Sequence, residues 1–257
     1  MSTAVPVPPY VEGHGLLAGK GVLVTAAAGS GIGFAVAKRC QEEGARVVIS
    51  DKHERRLGES AAALGGVPSV VCDVTDEESV QAMFAFAAQE LGEIDVLINN
   101  AGLGGTAELH DMTDDQWNVV LDVTLNGTMR ATRAALHHMY ANGHGVIVNN
   151  ASVIGWRAQA GQAHYAAAKA GVMGLTRCVA IEAAPHNVRV NCVAPSLAMH
   201  ANLAKVTSDE LLAELSAREA FGRPAEPWEV ANVMVFLASD YSGYMTGEVV
   251  SASSQHP

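Results

Sequence analysis

The sequence predicts a single α/β domain in which a doubly wound parallel sheet of about seven strands carries helices on both faces. Short runs rich in Val and Ile alternate along the chain with longer segments of helical period. Continuous apolar runs are typical of parallel strands that are buried on both faces, and their alternation with helices favours right-handed crossovers. The length of 257 residues is sufficient for one large hydrophobic core.

Seven apolar runs have the length of strands, and we expect all of them in the sheet. In chain order they are GVLVTAA (21–27), ARVVISD (45–51), VPSVVCD (67–73), IDVLINNAG (94–102), GVIVNNAS (145–152), VRVNCVAP (188–195) and GEVVSAS (247–253).

Five segments between these runs have helical period. They are GFAVAKRCQEEG (33–44), DEESVQAMFAFAAQELG (76–92), TDDQWNVVLDVTLNGTMRATRAALHHMYANG (113–143), HYAAAKAGVMGLTRCVAIEAAP (164–185) and EPWEVANVMVFLASD (226–240). Asp76 and Thr113 are helix-start signals, while Gly44 and Gly92 are stop signals.

Two stretches depart from this alternation. Residues 1–18 form a Pro-rich N-terminal arm, which leaves residues 19–257 as the domain that would bind a dinucleotide and carry the chemistry. Residues 197–226 interrupt the pattern late in the chain, and such an insertion tends to lie over a site. We therefore expect this region to be a substrate lid.

Composition excludes several classes of protein. Hydrophobic residues make up 49% and charged residues 17%, with no apolar run long enough to span a membrane, so disorder and membrane insertion are disfavoured. The first residues lack a basic region followed by an apolar one, which predicts a cytoplasmic protein without a secretory signal. A net charge of -11 without a basic stripe disfavours nucleic acid as a partner.

Metal-binding spacing is also missing from the sequence. The four cysteines lie far apart with no C-x-x-C pair, so we expect buried thiols and neither a metal site nor a disulfide framework. His137 and His138 are adjacent, and adjacent helix residues point about 100° apart, unlike ligands at i and i+4. No metal site is predicted.

The turn after the first strand, TAAAGSGIG (25–33), is rich in glycine. Gly29, Gly31 and Gly33 would let the backbone approach a pyrophosphate at the start of the next helix. A plain tight turn has the same composition, so this stretch alone leaves both interpretations open.

Acidic and small residues end the next strands, where ligands bind in open parallel sheets. Asp51 can accept hydrogen bonds from ribose hydroxyls and repel a 2'-phosphate, which favours NAD over NADP, although Lys52 beside it weakens that preference. Asp73 could meet an adenine edge, and residues 99–102 form a small-residue turn beside the cofactor. Each of these features could equally be an ordinary turn in which the polar side chains stabilise the backbone.

Ser152, Tyr165 and Lys169 form the strongest local signal. Tyr165 and Lys169 are four residues apart on one helix face, and Ser152 ends the preceding strand, so all three can converge above the sheet. A tyrosine acting as a base near neutral pH needs its pKa lowered from about 10 by roughly three units, and Lys169 and an oxidised nicotinamide supply positive charge in that direction. The alternative is a packing tyrosine beside a solvated lysine.

With these motifs the chain resembles the short-chain dehydrogenase/reductase family. The resemblance covers everything after the arm, through Gly31 to Gly33, Asp51, Asp73-Val74, NNAG (99–102), Ser152, Tyr165, Lys169, RVN (189–191) and FGRPAEPWEVANVMVFLASDYSGYMTGEVV (221–250). It implies a Rossmann-type fold, NAD(P)-dependent hydride transfer between an alcohol and a carbonyl, and a homotetramer or homodimer.

The resemblance also implies roles for individual residues. Tyr165 would be the acid/base, Ser152 would hold the substrate oxygen, and Lys169 would bind the nicotinamide ribose and lower the pKa of Tyr165. The implied cofactor-binding residues are Ser30, Gly31, Ile32, Gly33, Asp51, Asp73, Val74, Asn100, Ala101, Gly102, Thr124, Tyr165, Lys169, Pro195 and Leu197.

The chain departs from the family pattern in the turn and in a helix. The family turn T-G-x-x-x-G-[IL]-G is here one residue longer with alanine at its first glycine, and Gly29 could restore the lost flexibility. The helix asparagine is replaced by Thr124 in DVTLNG, which puts its water-relay role in doubt.

Two further departures lie near the C-terminus. PSLAMH (195–200) replaces P-G-x-x-x-T, so Leu197 keeps a backbone contact to the nicotinamide amide while His200 is a candidate pocket residue or a plain loop histidine. Gln255 to Pro257 replace the usual glycines and could shape a neighbouring subunit's pocket.

At a finer level the chain resembles bacterial steroid-degradation dehydrogenases that act on hydroxylated methyl-oxo-octahydroindene carboxyl-CoA thioesters. The resemblance rests on TAAAGSGIG, NNASVIGWRAQ, AHYAAAKAG, IEAA and TGEVVSASSQHP. It implies a substrate pocket with Trp156 and Arg157, in which Arg157 either meets CoA phosphates or forms a structural ion pair. A 3-oxoacyl carrier-protein or acyl-CoA reductase using NADPH, and a non-catalytic cofactor sensor on the same fold, are the alternatives.

Overall fold

A computed structural model of the protein describes residues 4–199 and 209–254. All seven expected strands form one parallel sheet in the order β3-β2-β1-β4-β5-β6-β7. Their bounds are β1 Gly21–Val24, β2 Arg46–Asp51, β3 Ser69–Val71, β4 Val96–Asn99, β5 Gly145–Asn150, β6 Val188–Pro195 and β7 Val249–Ala252. The predicted single-domain fold class is confirmed.

The strand order reverses between β1 and β4. The chain runs outward from β1 to β3, returns to β4 on the other side of β1, and continues outward to β7. Val22 pairs with Val47 of β2 on one side and with Val96 of β4 on the other. In open parallel sheets the crevice at such a reversal is where ligands bind.

Eight α-helices lie among the described residues, and both faces of the sheet are covered. They are α1 Ile32–Glu42, α2 Glu54–Ala63, α3 Glu77–Leu91, α4 Asp114–Leu121, α5 Gly127–Asn142, α6 Ala163–Ala183, α7 Asp209–Ala217 and α8 Pro227–Ala238. One core contains residues of α1 and α8, and the other contains residues of α3, α5 and α6. Within the described ranges no helix is sufficiently long and apolar to span a membrane.

The helical segment 113–143 is interrupted. After α4, residues Asp122–Asn126 form a π-helical turn that leads into α5. The predicted start at Thr113 is confirmed by a capping box with Gln116. Gly127 follows the π turn. A Cβ at this position would lie 2.7 Å from Cγ2 of Val74, which favours glycine here.

Two local features differ from the sequence interpretation. Helix α2 has no counterpart among the predicted segments because its sequence, ERRLGESAAA, has a single large apolar residue and buries only a narrow face. Among the cysteines, the expectation of buried thiols is wrong for Cys178, which is exposed on α6.

The turn after β1 bends towards the end of β2. Ala26, at the position of the family's first glycine, has φ +50, a left-handed conformation that costs an alanine about 1 kcal/mol. Ala28 N donates to Asp51 Oδ2 at 3.1 Å, and Gly29 N donates to Ser60 Oγ at 2.9 Å. Gly29 has φ +93, so the added glycine supplies a second left-handed position.

The described part of the N-terminal arm packs along α1 and α8. Val5 N donates to Phe221 O at 2.8 Å. The Tyr10 ring meets Trp228 edge-on at 5.2 Å, and its hydroxyl donates to Glu42 Oε2 at 2.6 Å. The arm therefore connects the first helix, the last helix and the segment that follows α7.

A buried ion pair anchors this arm. Arg39 Nη2 lies 2.8 Å from Glu43 Oε1, and the two side chains are only 4% and 1% exposed. The other carboxylate oxygen of Glu43 accepts from His14 N at 2.8 Å and Leu16 N at 3.0 Å. Burial alone would raise the pKa of Glu43, but these backbone hydrogen bonds and Arg39 outweigh it and lower the pKa.

Glu43→Gln tests this anchor. We expect a loss of about 3 kcal/mol in the free energy of unfolding, because the buried Arg39 would lose its buried counter-charge and keep only Glu42, which lies 2.7 Å from its Nη1 and is partly exposed. The measurement is urea denaturation followed by circular dichroism. Since the pKa of Glu43 is lowered on folding, its stabilisation should be present above the unfolded-state pKa of about 4.3 and lost as the pH falls further.

The matched control is Glu59→Gln. Glu59 pairs with Arg55 at 2.7 Å, but the side chains are 61% and 81% exposed, so a change below about 1 kcal/mol is expected. Equal effects of the two substitutions would contradict the anchoring role of Glu43.

Candidate active site

A cleft of about 650 Å³ opens at the carboxyl ends of the strands. Its lining comes from the turn after β1, the ends of β4, β5 and β6, the start of α6, and α7 with the residue after it. The predicted site residues that line it are Gly31, Ile32, Gly33, Asn100, Gly102, Ser152, Arg157, Tyr165, Lys169, Pro195 and Leu197.

Ser152, Tyr165 and Lys169 come together in this cleft. Ser152 follows β5, and its Oγ accepts from Ile154 N at 3.2 Å, which starts a short 3₁₀ turn. Tyr165 and Lys169 lie on the first two turns of α6, with Lys169 Nζ 5.6 Å from the centre of the Tyr165 ring. Lys169 Nζ donates to Asn150 O at 2.6 Å.

Burial dominates the ionisation of both groups. It raises the pKa of Tyr165, and the hydrogen bond with Ser152 lowers it only in part. Burial also lowers the pKa of Lys169 to about 8. That Lys169, together with an oxidised nicotinamide, lowers the pKa of Tyr165 stays a prediction; Lys169 Nζ itself lies over the ring and donates to Asn150 O.

A hydrogen-bond network links the strand ends below these residues. Asn100 Nδ2 donates to Ala26 O at 2.9 Å, and Asn100 N donates to Thr25 Oγ1 at 2.9 Å. Asn150 Nδ2 donates to Asn100 Oδ1 at 2.9 Å. Together with the bond from Lys169, these contacts join β1, β4, β5 and α6.

The cleft fits a dinucleotide in shape and in polarity. A Cβ on Gly33 would lie 2.3 Å from Ala26 O and 2.4 Å from Asn100 Nδ2, so only glycine allows this close approach. Gly31 caps α1 without a side-chain hydrogen bond, which leaves N–H groups for an anion. Asn150 Oδ1 is buried and has no partner among the described residues.

Asp51 and Asp73 lie outside the cleft lining, at the ends of β2 and β3. The carboxylate of Asp51 accepts from Ala28 N and from His53 N at 2.9 Å, and burial raises its pKa. Asp73 Oδ2 lies 2.7 Å from Lys52 Nζ. In the sequence, the charge of Lys52 weakens the preference for NAD that Asp51 gives. In the structure this charge is paired with Asp73.

Ser30, Val74, Ala101 and Thr124 also do not line the cleft. Val74 is buried, while Ser30 is exposed on the turn. Thr124 lies on the π turn, where its hydroxyl accepts from Leu103 N at 3.0 Å and donates to Leu103 O at 3.2 Å. It therefore positions the segment after β4.

The predicted substrate pocket is found in part. Arg157 lines the cleft, whereas Trp156 is 51% exposed and does not. His200 and Gln255 to Pro257 lie outside the described residues.

The sequence interpretation missed several lining residues, among them Gln159, Gln162, Leu215 and Arg218. Leu215 lies on α7 and Arg218 follows this helix. For these two residues, the only signal in the sequence was the lid region expected at residues 197–226.

A separate cluster lies at the opposite end of the sheet. His144 Nε2 lies 2.9 Å from Asp95 Oδ1 and 3.8 Å from Glu93 Oε2. Asp95 Oδ2 also accepts from Gly21 N at 2.6 Å. These contacts explain the cluster as a structural link between the starts of β1, β4 and β5.

Comparisons with known proteins agree with this geometry. The family model described as Enoyl-(Acyl carrier protein) reductase matches residues 26–254. The chain is 62% identical over 256 residues, 97% of its length and 98% of the relative's, to the (5R,7aS)-5-hydroxy-7a-methyl-1-oxo-2,3,5,6,7,7a-hexahydro-1H-indene-carboxyl-CoA reductase of Mycobacterium tuberculosis (strain ATCC 25618 / H37Rv).

A more distant relative and a solved structure extend the comparison. The 3-oxoacyl-[acyl-carrier-protein] reductase of Thermotoga maritima is 39% identical over 238 residues, 91% of this chain and 96% of that protein. A crystal structure of a short chain dehydrogenase from Mycobacterium smegmatis has a TM-score of 0.87 at 56% identity, covering 98% of this chain and 99% of that one. The chain therefore belongs to the short-chain dehydrogenase/reductase family, oxidoreductases of CH–OH groups that share this Rossmann fold.

Proposed function

We propose that this protein is an NAD-dependent oxidoreductase that interconverts a secondary alcohol and a ketone on a bulky, apolar CoA thioester, such as a fused-ring hydroxyacyl-CoA from steroid breakdown. The observation that carries the proposal is the meeting of Ser152, Tyr165 and Lys169 in one cleft beside a glycine turn that suits a dinucleotide.

Tyr165 is the group that moves the proton. Ser152 holds the substrate oxygen, and Lys169 holds the cofactor ribose while it stays mostly protonated near neutral pH, since its pKa is about 8. A bound nicotinamide would supply or accept the hydride. Because burial raises the pKa of Tyr165, the phenol holds its proton at neutral pH and is suited to donate it during ketone reduction.

The remaining cofactor-binding residues would each hold a different part of the dinucleotide. Gly31 to Gly33 and the start of α1 would hold the pyrophosphate, and Asp51 would accept from the adenosine ribose. Pro195 and Leu197, at the end of β6, would contact the nicotinamide. Two backbone N–H groups hold the carboxylate of Asp51 in place. Because its charge would repel the 2'-phosphate of NADP, this arrangement favours NAD.

The thioester substrate is supported by the relatives. The Mycobacterium tuberculosis relative is named for an indene-carboxyl-CoA, and Arg157 supplies a cation in the cleft. The proposal includes a homotetramer or homodimer in the cytoplasm, as is usual for the family. The second candidate is a 3-oxoacyl carrier-protein reductase using NADPH, favoured by the Thermotoga maritima relative.

Tyr165→Phe tests the chemistry. We expect kcat to fall by about 10²–10⁴, because the acid/base group is lost, while fluorescence titration still shows binding of NAD. Tyr140→Phe is the control, since Tyr140 stacks on His186 at 3.8 Å and does not line the cleft. Turnover near that of the unchanged enzyme in Tyr165→Phe would refute the assignment.

Asp51→Asn tests the cofactor preference. Removal of the negative charge should reduce repulsion of the 2'-phosphate and shift the ratio of kcat/KM values for NADP and NAD by roughly tenfold towards NADP. Steady-state kinetics with each cofactor give this ratio. A strong preference of the unchanged protein for NADPH would favour the carrier-protein reductase instead.

A substrate panel tests the substrate class. We expect turnover with fused-ring hydroxyacyl-CoA or oxoacyl-CoA thioesters, followed by NADH absorbance, and much lower kcat/KM with linear 3-oxoacyl carrier-protein substrates. Failure with every CoA thioester would remove this part of the proposal and leave the Tyr165 result unaffected.

A further inference from the structure

We propose that Arg157 and Arg218 together form a phosphate-binding pair in the cleft, which takes the diphosphate or 3'-phosphate groups of a CoA thioester. This inference rests on the proposed function in taking the substrate to be a CoA thioester. It adds a second anion site to the one that the glycine turn provides.

The two arginines come from different segments of the chain. Arg157 follows the 3₁₀ turn next to Ser152, and its N–H donates to Val153 O at 3.0 Å. Arg218 follows α7, and its N–H donates to Leu215 O at 3.2 Å. Both residues line the cleft that contains Tyr165.

The charge of the cleft is opposite to that of the protein. The chain has a net charge of -11, yet among the described residues three cations and no carboxylate line the cleft. Lys169 is buried and donates to Asn150 O, whereas Arg157 is half-buried and Arg218 is exposed. A polyanionic ligand needs such local cations when the surrounding field is repulsive.

The position of Arg218 is fixed by its neighbour. Glu219 is 4% exposed and accepts from Ser196 Oγ at 3.0 Å, Leu197 N at 3.3 Å and Ser254 Oγ at 2.8 Å. These bonds tie the backbone beside Arg218 to the end of β6. The backbone that carries Arg218 is therefore ordered before a ligand arrives, which lowers the conformational entropy lost on binding.

The ion pair that Arg218 makes does not compete strongly with a phosphate. Arg218 Nη2 lies 2.5 Å from Glu214 Oε1, but the side chains are 54% and 59% exposed. Exposed pairs of this kind contribute little to stability, whereas arginine and phosphate form strong charge-assisted hydrogen bonds. The guanidinium can therefore turn to a ligand without a large loss.

The test compares a CoA thioester with a truncated thioester that lacks the phosphates together with the adenosine and pantoyl groups. Arg157→Gln and Arg218→Gln are assayed with a fused-ring acyl-CoA and with the same acyl group on N-acetylcysteamine, which lacks phosphate. Each substitution should raise KM for the CoA thioester about tenfold and leave KM for the truncated thioester unchanged. Arg55→Gln is the control, since Arg55 makes a similar exposed ion pair with Glu59 and does not line the cleft.

A binding measurement keeps the test independent of turnover. Calorimetric titration with CoA alone should show binding to the unchanged protein in the presence of NAD, a Kd raised about tenfold in each variant, and weaker binding at higher salt. If no thioester is turned over but CoA binds with this pattern, the arginine pair stands and the proposed substrate fails.

Three results would overturn the pair. They are the absence of CoA binding to the unchanged protein, equal increases in KM for both thioesters, and a raised Kd for NAD in the variants. The last result would assign the arginines to the cofactor phosphates.

Discussion

The side chain of Asn100 hydrogen-bonds to both strands beside β4, and the shape of the cleft depends on these two contacts. Its amide donates to Ala26 O of the turn after β1, and its carbonyl accepts from Asn150 at the end of β5. The chain reverses its strand order between β1 and β4, so a polar crevice has to form there. Leaving such a half-buried amide unpaired would cost on the order of 1 kcal/mol.

The position of Lys169 depends on the same contacts. Its side chain is buried, and its ammonium donates to the carbonyl of Asn150, whose side chain is held by Asn100. A desolvated cation is tolerated there because the carbonyl dipole is fixed by the sheet. The placement of the catalytic side chains is thus set by the packing of three strands.

Much of the fold and of the site could be predicted from the sequence because both have local signals. The seven Val- and Ile-rich runs became the seven strands, and the four-residue spacing of Tyr165 and Lys169 requires only a helix. Two contacts were not predictable, since each joins segments that only the tertiary structure brings together. They are the ion pair between Lys52 and Asp73 and the hydrogen bond between Thr124 and Leu103.

The contribution of α7 was hidden for a similar reason. Leu215 and Arg218 stand in a segment without a strand or glycine signal, and their role follows from how Glu219 attaches this segment to β6. The rise in the pKa of Tyr165 could not be predicted either, because the sequence shows which charges are near and gives no measure of burial. Desolvation is a property of the packed chain, and here it outweighs the hydrogen bond with Ser152.

The two described ends of the chain meet on the segment after α7. Val5 N donates to Phe221 O, and Ala220 N donates to Ser254 O at 3.0 Å, so the chain nearly closes into a ring at this point. Residues 220–221 therefore hold both described ends of the chain, and they belong to the same segment that supplies Arg218 to the wall of the cleft.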